Sequence, residues 1–104
     1  MVTQQTAIKM VEEFATEVRS LGINLKRVIL FGSVAANRQQ EYSDIDVAMV
    51  ADDFSGVGFI DIKRFVKALR NRYIIQPRTF ATRDFEQGDA FIEEIINTGI
   101  EIET

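Results

Sequence analysis

The stretch of the chain that decides the fold is residues 25–50, which read LKRVILFGSVAANRQQEYSDIDVAMV. Its two ends, Leu25–Phe31 and residues 45–50, are compact apolar runs of the kind found in buried strands. The pair Gly32-Ser33 ends the first run, and the polar segment 34–42 has room for only a turn or two of helix. Because so short a connection cannot contain a full crossover helix, the sequence predicts that the two strands pair antiparallel.

Helical and strand patterns continue on both sides of this stretch. Apolar residues recur at spacings of three and four over residues 3–21, which predicts an amphipathic helix that ends at Gly22. The same spacing over residues 59–72 predicts a second long helix. Residues 73–80 are predicted to form a third strand, which Pro77 places at the edge of the sheet or ends early.

The last quarter of the chain contains capping and breaking residues. Thr82 is predicted to cap a short turn, Asp89 to cap a final helix, and Gly99 to end that helix. Ile and Glu alternate over residues 100–103, which predicts a short terminal strand. The order of elements predicts an α/β fold with a small mixed sheet. A length of 104 residues predicts one domain, residues 1–104.

Composition narrows the chemistry that the side chains can perform. The absence of His and Cys excludes a His-based triad, a thiol nucleophile, a disulfide and the usual zinc ligands, so carboxylates are the main reactive groups. Sixteen acidic and twelve basic residues give a net charge of −4, which disfavours nucleic acid binding. We find no signal-peptide pattern and no apolar run of membrane-spanning length, so the sequence predicts a cytoplasmic protein without membrane contact.

A pair of aspartates stands at the beginning of the second predicted strand. Side chains two residues apart on a strand project from one face, with about 6.6 Å between their Cα atoms, so Asp44 and Asp46 point toward the same region. Two carboxylates in this arrangement repel one another unless a cation joins them, and such oxygen ligands suit Mg²⁺ or Mn²⁺. Asp44 and Asp46 are therefore the predicted metal-binding and catalytic residues.

The junction at the end of the first predicted strand supplies groups that bind phosphate. Exposed backbone N–H groups at Gly32 and Ser33 favour phosphate oxygens, the glycine allows close approach, and the Ser33 hydroxyl adds a donor. Arg38 is the nearest basic candidate for a phosphate contact. Together with the aspartates, these residues predict metal-assisted phosphoryl or nucleotidyl transfer, which needs no His base.

Each of these features also has an ordinary structural interpretation. A Gly-Ser pair is a common turn and Asp-x-Asp is often a solvated strand end, so only their combination at this spacing favours function. A basic row on the second predicted helix is more often a solvated face than a contact with phosphate or an acidic partner. Three phenylalanines more often fill a core than stack on a base. The basic row is Lys63, Arg64, Lys67 and Arg70, and the phenylalanines are Phe80, Phe85 and Phe91.

The pattern Gly32-Ser33, ten residues, Asp44-Ile45-Asp46 and the following VAMV run resembles the minimal nucleotidyltransferases of the DNA polymerase β superfamily, with the match concentrated over residues 27–50. The resemblance implies a mixed-sheet nucleotidyltransferase fold, with Mg²⁺ or Mn²⁺ as cofactor and an NTP, ATP first, as substrate. It also implies transfer of a nucleoside monophosphate to a hydroxyl of a protein or small molecule, with release of pyrophosphate. By position, Gly32 and Ser33 would bind phosphate, and the aspartates would bind metal.

Two positions depart from the pattern of this family. Asn37 stands where similar proteins have a second Gly, and Asn also tolerates the left-handed conformation needed after a short helix. Gln76 aligns with the third carboxylate of the family, and its neutral amide cannot act as a carboxylate base. Asp84 and Glu86 are the nearby acidic residues that would have to substitute for it.

The sequence leaves two kinds of function open. The first is an active nucleotidyltransferase, and the second is a catalytically weak or inactive protein of the same fold that neutralises a partner by contact. Proteins similar to this one are often antitoxins paired with a HEPN-domain toxin, which the resemblance implies as a partner. Because the chain is short, we expect it to need such a partner or to form a homodimer.

Overall fold

The computed structural model of the protein describes residues 2–40 and 43–103, so the end of the predicted segment 34–42 lies outside the described residues. The helices and strands, in chain order, are α1 (Gln4–Ser20), β1 (Leu25–Phe31), β2 (Ile45–Ala51), α2 (Gly58–Asp61), β3 (Ile75–Ala81), α3 (Thr82–Gln87), α4 (Ala90–Thr98) and β4 (Ile100–Glu101). Two short 3₁₀ helices, Ile62–Arg64 and Val66–Leu69, lie between α2 and β3. Within the described residues, no helix has the length and apolar character needed to cross a membrane.

The strands form a sheet in the order β3-β2-β1-β4. β1 pairs antiparallel with β2 and β4, whereas β2 pairs parallel with β3, so the predicted mixed sheet and α/β class are confirmed. Pro77 lies inside β3 at the edge of the sheet, which is one of the two predicted outcomes. A residue without an N–H group is tolerated there because the outer side of an edge strand has no neighbouring strand to pair with.

Helices pack on both faces of the sheet, so the central strand β2 is shielded on both sides. Every residue of β2 except Asp46 is buried. On one face, α1 and the 3₁₀ segment pack against the sheet, and Phe65 lies between Phe14 and Phe54 with ring centroids 6.1 and 6.0 Å away. The core on the other face, beneath α3 and α4, consists of Ile29, Ala48, Val50, Phe85, Ile92 and Ile95.

The predicted long helix over residues 59–72 is wrong. α2 ends after four residues, and the chain continues as two 3₁₀ helices with Phe65 between them at φ −133°. Residues three apart share a face in a 3₁₀ helix as they nearly do in an α-helix, so the pairs Ile62/Phe65 and Val66/Leu69 fit either structure. The break allows Phe65 to enter the phenylalanine cluster, and it leaves the apolar side chain of Val66 53% exposed.

The two predicted helix caps have different outcomes. Asp89 is confirmed, because its side chain accepts a hydrogen bond from the backbone N–H of Ile92 at 2.8 Å. Thr82 is not a cap, since α3 begins at Thr82 itself and Ala81 occupies the cap position without a side-chain hydrogen bond. β3 leads into α3 without a loop, which leaves no residue between them to serve as a polar cap.

Candidate active site

The end of β1 and the start of β2 bring the Gly-Ser corner against the acidic pair. Phe31, the last residue of β1, pairs with Asp46, so Gly32 follows at the same end of the sheet. Gly32 has φ +80°, a conformation that glycine adopts without strain. A Cβ atom at this position would also overlap with the carboxylate of Asp46. Both constraints favour glycine, and the second shows that the corner backbone directly adjoins the Asp46 carboxylate.

Residues 33–37 form a tight turn that is anchored to α1. The backbone N–H of Arg38 donates to the carbonyl oxygen of Ser33 at 2.8 Å. Asn37 has φ +57°, so the left-handed conformation expected of it is confirmed. Gln4 of α1 donates from its side-chain amide to a carbonyl oxygen of the turn at 2.9 Å. This hydrogen bond ties the Gly-Ser corner to α1, which packs on the face of the sheet opposite to α3 and α4.

The two aspartates differ in exposure and in their electrostatic surroundings. Asp44 is exposed, whereas Asp46 is half-buried. Burial raises the pKa of Asp46 above its ordinary value, the charge of Asp44 raises this pKa further, and the charge of Arg78 lowers it. None of the hydrogen bonds among the described residues reaches the Asp46 carboxylate. Its oxygen atoms are therefore available to a ligand or cation.

Gln76 lies in register with Asp46 on the neighbouring parallel strand. Directly paired residues of a sheet project from the same face, so the neutral amide stands beside the carboxylate of Asp46. The Gln76 amide donates a hydrogen bond to the carbonyl oxygen of Tyr73 at 3.3 Å. Of the acidic residues considered as substitutes, Asp84 lines a cavity beyond β3, and Glu86 lines a cavity at the other end of the sheet.

Two cavities adjoin Phe91 at the start of α4. The first, which we call the Gly-Ser cavity, has a volume of about 380 Å³ and is lined in part by Gly32, Ser33 and Arg38. The second, which we call the edge cavity, has a volume of about 790 Å³ and lies against β3, with Arg78 in its wall. The structure thus brings the three predicted phosphate-binding residues to one cavity.

The three phenylalanines that were expected in the core differ in position. Phe85 is buried and Phe80 is partly buried, but Phe91 is 38% exposed. Phe91 occupies the first turn of α4, and its ring packs edge-on against the ring of Phe31 with centroids 5.9 Å apart. The prediction that Phe91 fills the core is therefore wrong, because the ring covers the surface between the two cavities instead.

Comparison with known proteins assigns the chain to a family. Residues 11–98 match the sequence profile of the nucleotidyltransferase domain. The chain belongs to the nucleotidyltransferase domain family. The fold class and the resemblance inferred from the sequence are thereby confirmed.

Two solved structures share the fold of this nucleotidyltransferase domain. One is a candidate nucleotidyltransferase from Sulfolobus solfataricus, with a TM-score of 0.69 and 20% identity over 94% of this chain and 80% of that chain. The other is described as a toxin-antitoxin with AMP-PNP, with a TM-score of 0.62 and 18% identity over 88% of this chain and 72% of that chain. At such identities the likeness establishes the fold alone. No curated protein matches the chain.

The acidic pair of this nucleotidyltransferase domain fits a divalent cation. Asp44 and Asp46 are close enough for the charge of one to raise the pKa of the other, and a bound cation would relieve that repulsion. Among residues 2–40 and 43–103, no group of three or more acidic, His or Cys side chains is placed to hold a metal. Mg²⁺ commonly uses one or two carboxylates and completes its coordination with water and substrate phosphates, so two aspartates suffice.

The basic row is exposed, as its ordinary interpretation predicts, whereas Arg78 is a cation near the acidic pair that the predicted site did not include. The segment that carries Lys63, Lys67 and Arg70 packs on the α1 face of the sheet, away from Asp46, and Arg64 is paired with an exposed aspartate. Arg78 lies on the same face of the sheet as Asp46. The sequence contains an indication of this position. Arg78 follows Gln76 by two residues on a predicted strand, and residues two apart on a strand share a face.

Proposed function

We propose that the protein is a Mg²⁺-dependent nucleotidyltransferase that transfers a nucleoside monophosphate from an NTP, with ATP as the first candidate, to an acceptor hydroxyl and releases pyrophosphate. The observation that carries the proposal is the close approach of the Gly32 backbone to the carboxylate of Asp46. This approach joins a phosphate-binding corner to an acidic pair within one end of the sheet. Membership in the nucleotidyltransferase domain family supports the class of reaction.

Each residue of the site has a separate task in this proposal. The backbone of Gly32 and the backbone and hydroxyl of Ser33 bind phosphate oxygens, and Arg38 adds positive charge in the same cavity. Asp44 and Asp46 hold the cation. Bound Mg²⁺ or Mn²⁺ supplies the positive charge that activates an attacking oxygen and stabilises the leaving pyrophosphate. Burial of the rest of β2 on both faces keeps Asp46 fixed relative to the corner.

The neutral side chain of Gln76 should make nucleotidyl transfer slow. A carboxylate beside Asp46 could accept the proton of the acceptor hydroxyl, whereas the amide of Gln76 cannot. The proton must then pass to solvent or to a base on the acceptor, so turnover should be slow. A Gln76→Glu substitution places a carboxylate at this position without changing the length of the side chain.

The proposal includes a protein partner. A HEPN-domain toxin is the partner that the sequence resemblance implies, and this chain would act as its antitoxin, with the toxin supplying the acceptor hydroxyl. The similar fold of a protein described as a toxin-antitoxin with AMP-PNP supports this assignment. Self-association as a homodimer is the other arrangement that a domain of this size could use to complete an acceptor site.

A second candidate function is favoured by the position of Gln76. A neutral side chain in register with Asp46 is what a nucleotidyltransferase fold that has lost catalysis would carry. In this alternative, the protein binds a partner and neutralises it by contact, and any bound nucleotide has a structural purpose only.

The experiment that tests the proposal measures Mg²⁺-ATP binding and pyrophosphate release by the purified chain, with water or an intrinsic hydroxyl as acceptor. Asp46→Asn is the test variant, and Asp52→Asn is the matched control, because Asp52 is an exposed aspartate at the other end of β2. We expect wild-type activity to require Mg²⁺, Asp46→Asn to lower it roughly 100-fold, and Asp52→Asn to leave it unchanged.

The outcomes separate the two candidate functions. If the wild type binds Mg²⁺-ATP without releasing pyrophosphate and Gln76→Glu restores release, the contact-only alternative describes the natural chain. If the wild type neither binds ATP, GTP, CTP or UTP nor releases pyrophosphate, the nucleotidyltransferase proposal is overturned.

A further inference from the structure

Arg78 lies one step along the sheet from the pair formed by Asp46 and Gln76. It pairs with Ala48, two residues beyond Asp46 on β2, and residues two apart on a strand share a face. Strand spacing puts its Cα atom roughly 8 Å from that of Asp46, within reach of a long side chain. The charge of Arg78 also lowers the pKa of the Asp46 carboxyl group. Arg78 and Asp46 therefore lie on one face of the sheet, near enough for their charges to interact.

The guanidinium of Arg78 is held in place by an aromatic ring. It lies 5.0 Å from the centroid of Phe91, which in turn packs against Phe31, the residue before Gly32. Stacking on an aromatic face orients the planar guanidinium and leaves the N–H groups at its edge free to donate. Phe91 also lines the Gly-Ser cavity, so this contact connects Arg78 to the corner that is expected to bind phosphate.

Arg78 has no carboxylate partner among the described residues. In this part of the chain, ion pairs within 4.0 Å involve Lys26, Arg27, Arg64 and Arg72 as the cations. Arg78 makes no ion pair and no hydrogen bond with the residues that the structure describes, although its charge acts on a nearby aspartate. None of the described residues therefore uses the N–H donors of Arg78.

The neutral side chain of Gln76 helps to keep Arg78 unpaired. Gln76 and Arg78 project from the same face of an edge strand, two residues apart. A carboxylate at position 76 would compete for the guanidinium, whereas an amide attracts it only weakly. The glutamine at position 76 means that this site lacks a carboxylate base. The same glutamine leaves the Arg78 guanidinium available to a ligand.

We propose that Arg78 binds the phosphate chain of the nucleotide, approaching it from the β3 side of Asp46 while Gly32 and Ser33 bind it from the β1 side. The inference rests on the proposed function, because it takes a nucleotide as the ligand. A guanidinium donates two parallel hydrogen bonds to phosphate oxygens, and the added positive charge offsets the repulsion between a polyphosphate and the acidic pair. Arg78 is then a determinant of specificity for phosphorylated ligands over the bare nucleoside.

The test compares four ligands by calorimetry in the presence of Mg²⁺: a non-hydrolysable ATP analogue, ADP, AMP and adenosine. The variants are Arg78→Gln, which keeps much of the side-chain stem, and Arg78→Lys, which keeps the charge but not the fork. Arg70→Ala is the control, because Arg70 lies on the connection before β3, away from the corner. Thermal unfolding of each variant confirms that it is folded.

We expect Arg78→Gln to weaken binding of the ATP analogue about tenfold or more, while adenosine binding changes by less than about twofold. Arg78→Lys should have an intermediate effect, since lysine retains the charge as a point donor. Arg70→Ala should bind all four ligands like the wild type. An equal loss of affinity for adenosine and for the ATP analogue would overturn the inference, because it would show that Arg78 only shapes the pocket.

The failure of this inference can be distinguished from the failure of the proposed function. If the wild type binds the ATP analogue and Arg78→Gln binds it equally well, the role of Arg78 is overturned and the proposed function stands. If the wild type binds none of the phosphorylated ligands and none of GTP, CTP and UTP, both are overturned.

Discussion

Asp46 and Asp61 are two aspartates with shielded carboxylates, and their surroundings are opposite. Asp61 is 2% exposed and accepts four hydrogen bonds: from the backbone and hydroxyl of Ser55 at 2.9 and 3.0 Å, from the backbone of Gly56 at 2.9 Å, and from the Thr79 hydroxyl at 2.6 Å. Burial alone would raise the pKa of Asp61, but these hydrogen bonds outweigh it and place the pKa below the ordinary value. Asp46 accepts none from the described residues, and its pKa is raised.

This difference separates a structural carboxylate from one that is available to a ligand. Asp61 fixes the loop before α2 to the edge strand β3, and the fold uses all of its hydrogen-bonding capacity. Asp46 bears the electrostatic cost of partial burial without compensation from hydrogen bonds to the described residues. Carboxylates that are shielded from water are normally satisfied by hydrogen bonds, so a half-buried carboxylate that accepts none from the described residues and lies near a second aspartate is a candidate functional group.

The largest expected effect concerns activity at Asp46. Beyond the roughly 100-fold loss of pyrophosphate release, Asp46→Asn should leave the free energy of unfolding unchanged or raise it by about 0.5 kcal/mol, because no hydrogen bond with the described residues is broken and the cost of burying the charge is removed. Urea denaturation of the variant and the wild type measures this difference. A marked loss of stability would break the comparison, since it would make Asp46 a structural residue like Asp61.

At Asp61, in contrast, we expect a substitution to reduce the free energy of unfolding. Asp61→Asn should lower the free energy of unfolding by about 2 to 3 kcal/mol, because an amide cannot accept all the hydrogen bonds that the carboxylate accepts and one of its ends is a donor. Urea denaturation measures the loss. Asp53→Asn is the matched control, because Asp53 is an exposed aspartate paired with Arg64, and such pairs contribute little. Similar losses in the two variants would contradict the structural assignment of Asp61.

A smaller effect is expected when a methyl group is added at the corner. Gly32→Ala should lower the free energy of unfolding by about 2 kcal/mol and weaken nucleotide binding, because it combines backbone strain with overlap against Asp46. Gly22→Ala is the control, since Gly22 has φ +92° with open space where the methyl group would lie. This variant should show the effect of backbone strain alone, a loss of about 1 kcal/mol in the free energy of unfolding. Urea denaturation compares the two variants. Equal losses would mean that the corner does not adjoin the Asp46 carboxylate.

The smallest effect is a dependence of stability on pH. Because the folded-state pKa of Asp61 is lowered, its stabilising contribution is fully present above the unfolded-state pKa of about 4 and is lost as pH falls through the folded-state value. The difference in unfolding free energy between wild type and Asp61→Asn should therefore be constant from pH 7 to about pH 5 and shrink below about pH 4. A difference that grows on acidification would contradict the lowered pKa.

Much of the fold could be predicted because its decisive patterns are local. The apolar run of β1, the spacing in α1 and the Asp89 cap each involve neighbouring residues, and all three agree with the structure. The predicted helix over residues 59–72 is wrong because a spacing of three fits both an α-helix and a 3₁₀ helix. The choice between them depends on where Phe65 packs. One of its packing partners, Phe14, lies on α1, far away along the chain.

The candidate site was predictable to the extent that spacing along a strand determines direction. A period of two along β2 gives the face of Asp46, whereas Asp44 lies just before the first residue of the strand, and the conformation of the corner follows from its glycine. The exposure of Phe91 and its contact with Arg78 could not be predicted, since they join α4 to β3 across the face of the sheet.

The sequence by itself determined the strands, the antiparallel pairing of β1 with β2, the turn at Asn37 and the residue types at the corner, because steric limits and alternation act between neighbours in the chain. Tertiary structure alone decided that Asp61 is satisfied by its neighbours, and that Asp46 and Arg78 have no hydrogen-bonding or ion-pair partner among the described residues. The physical reason is that solvation and charge depend on which distant groups fold against a side chain, and a linear pattern does not specify those groups.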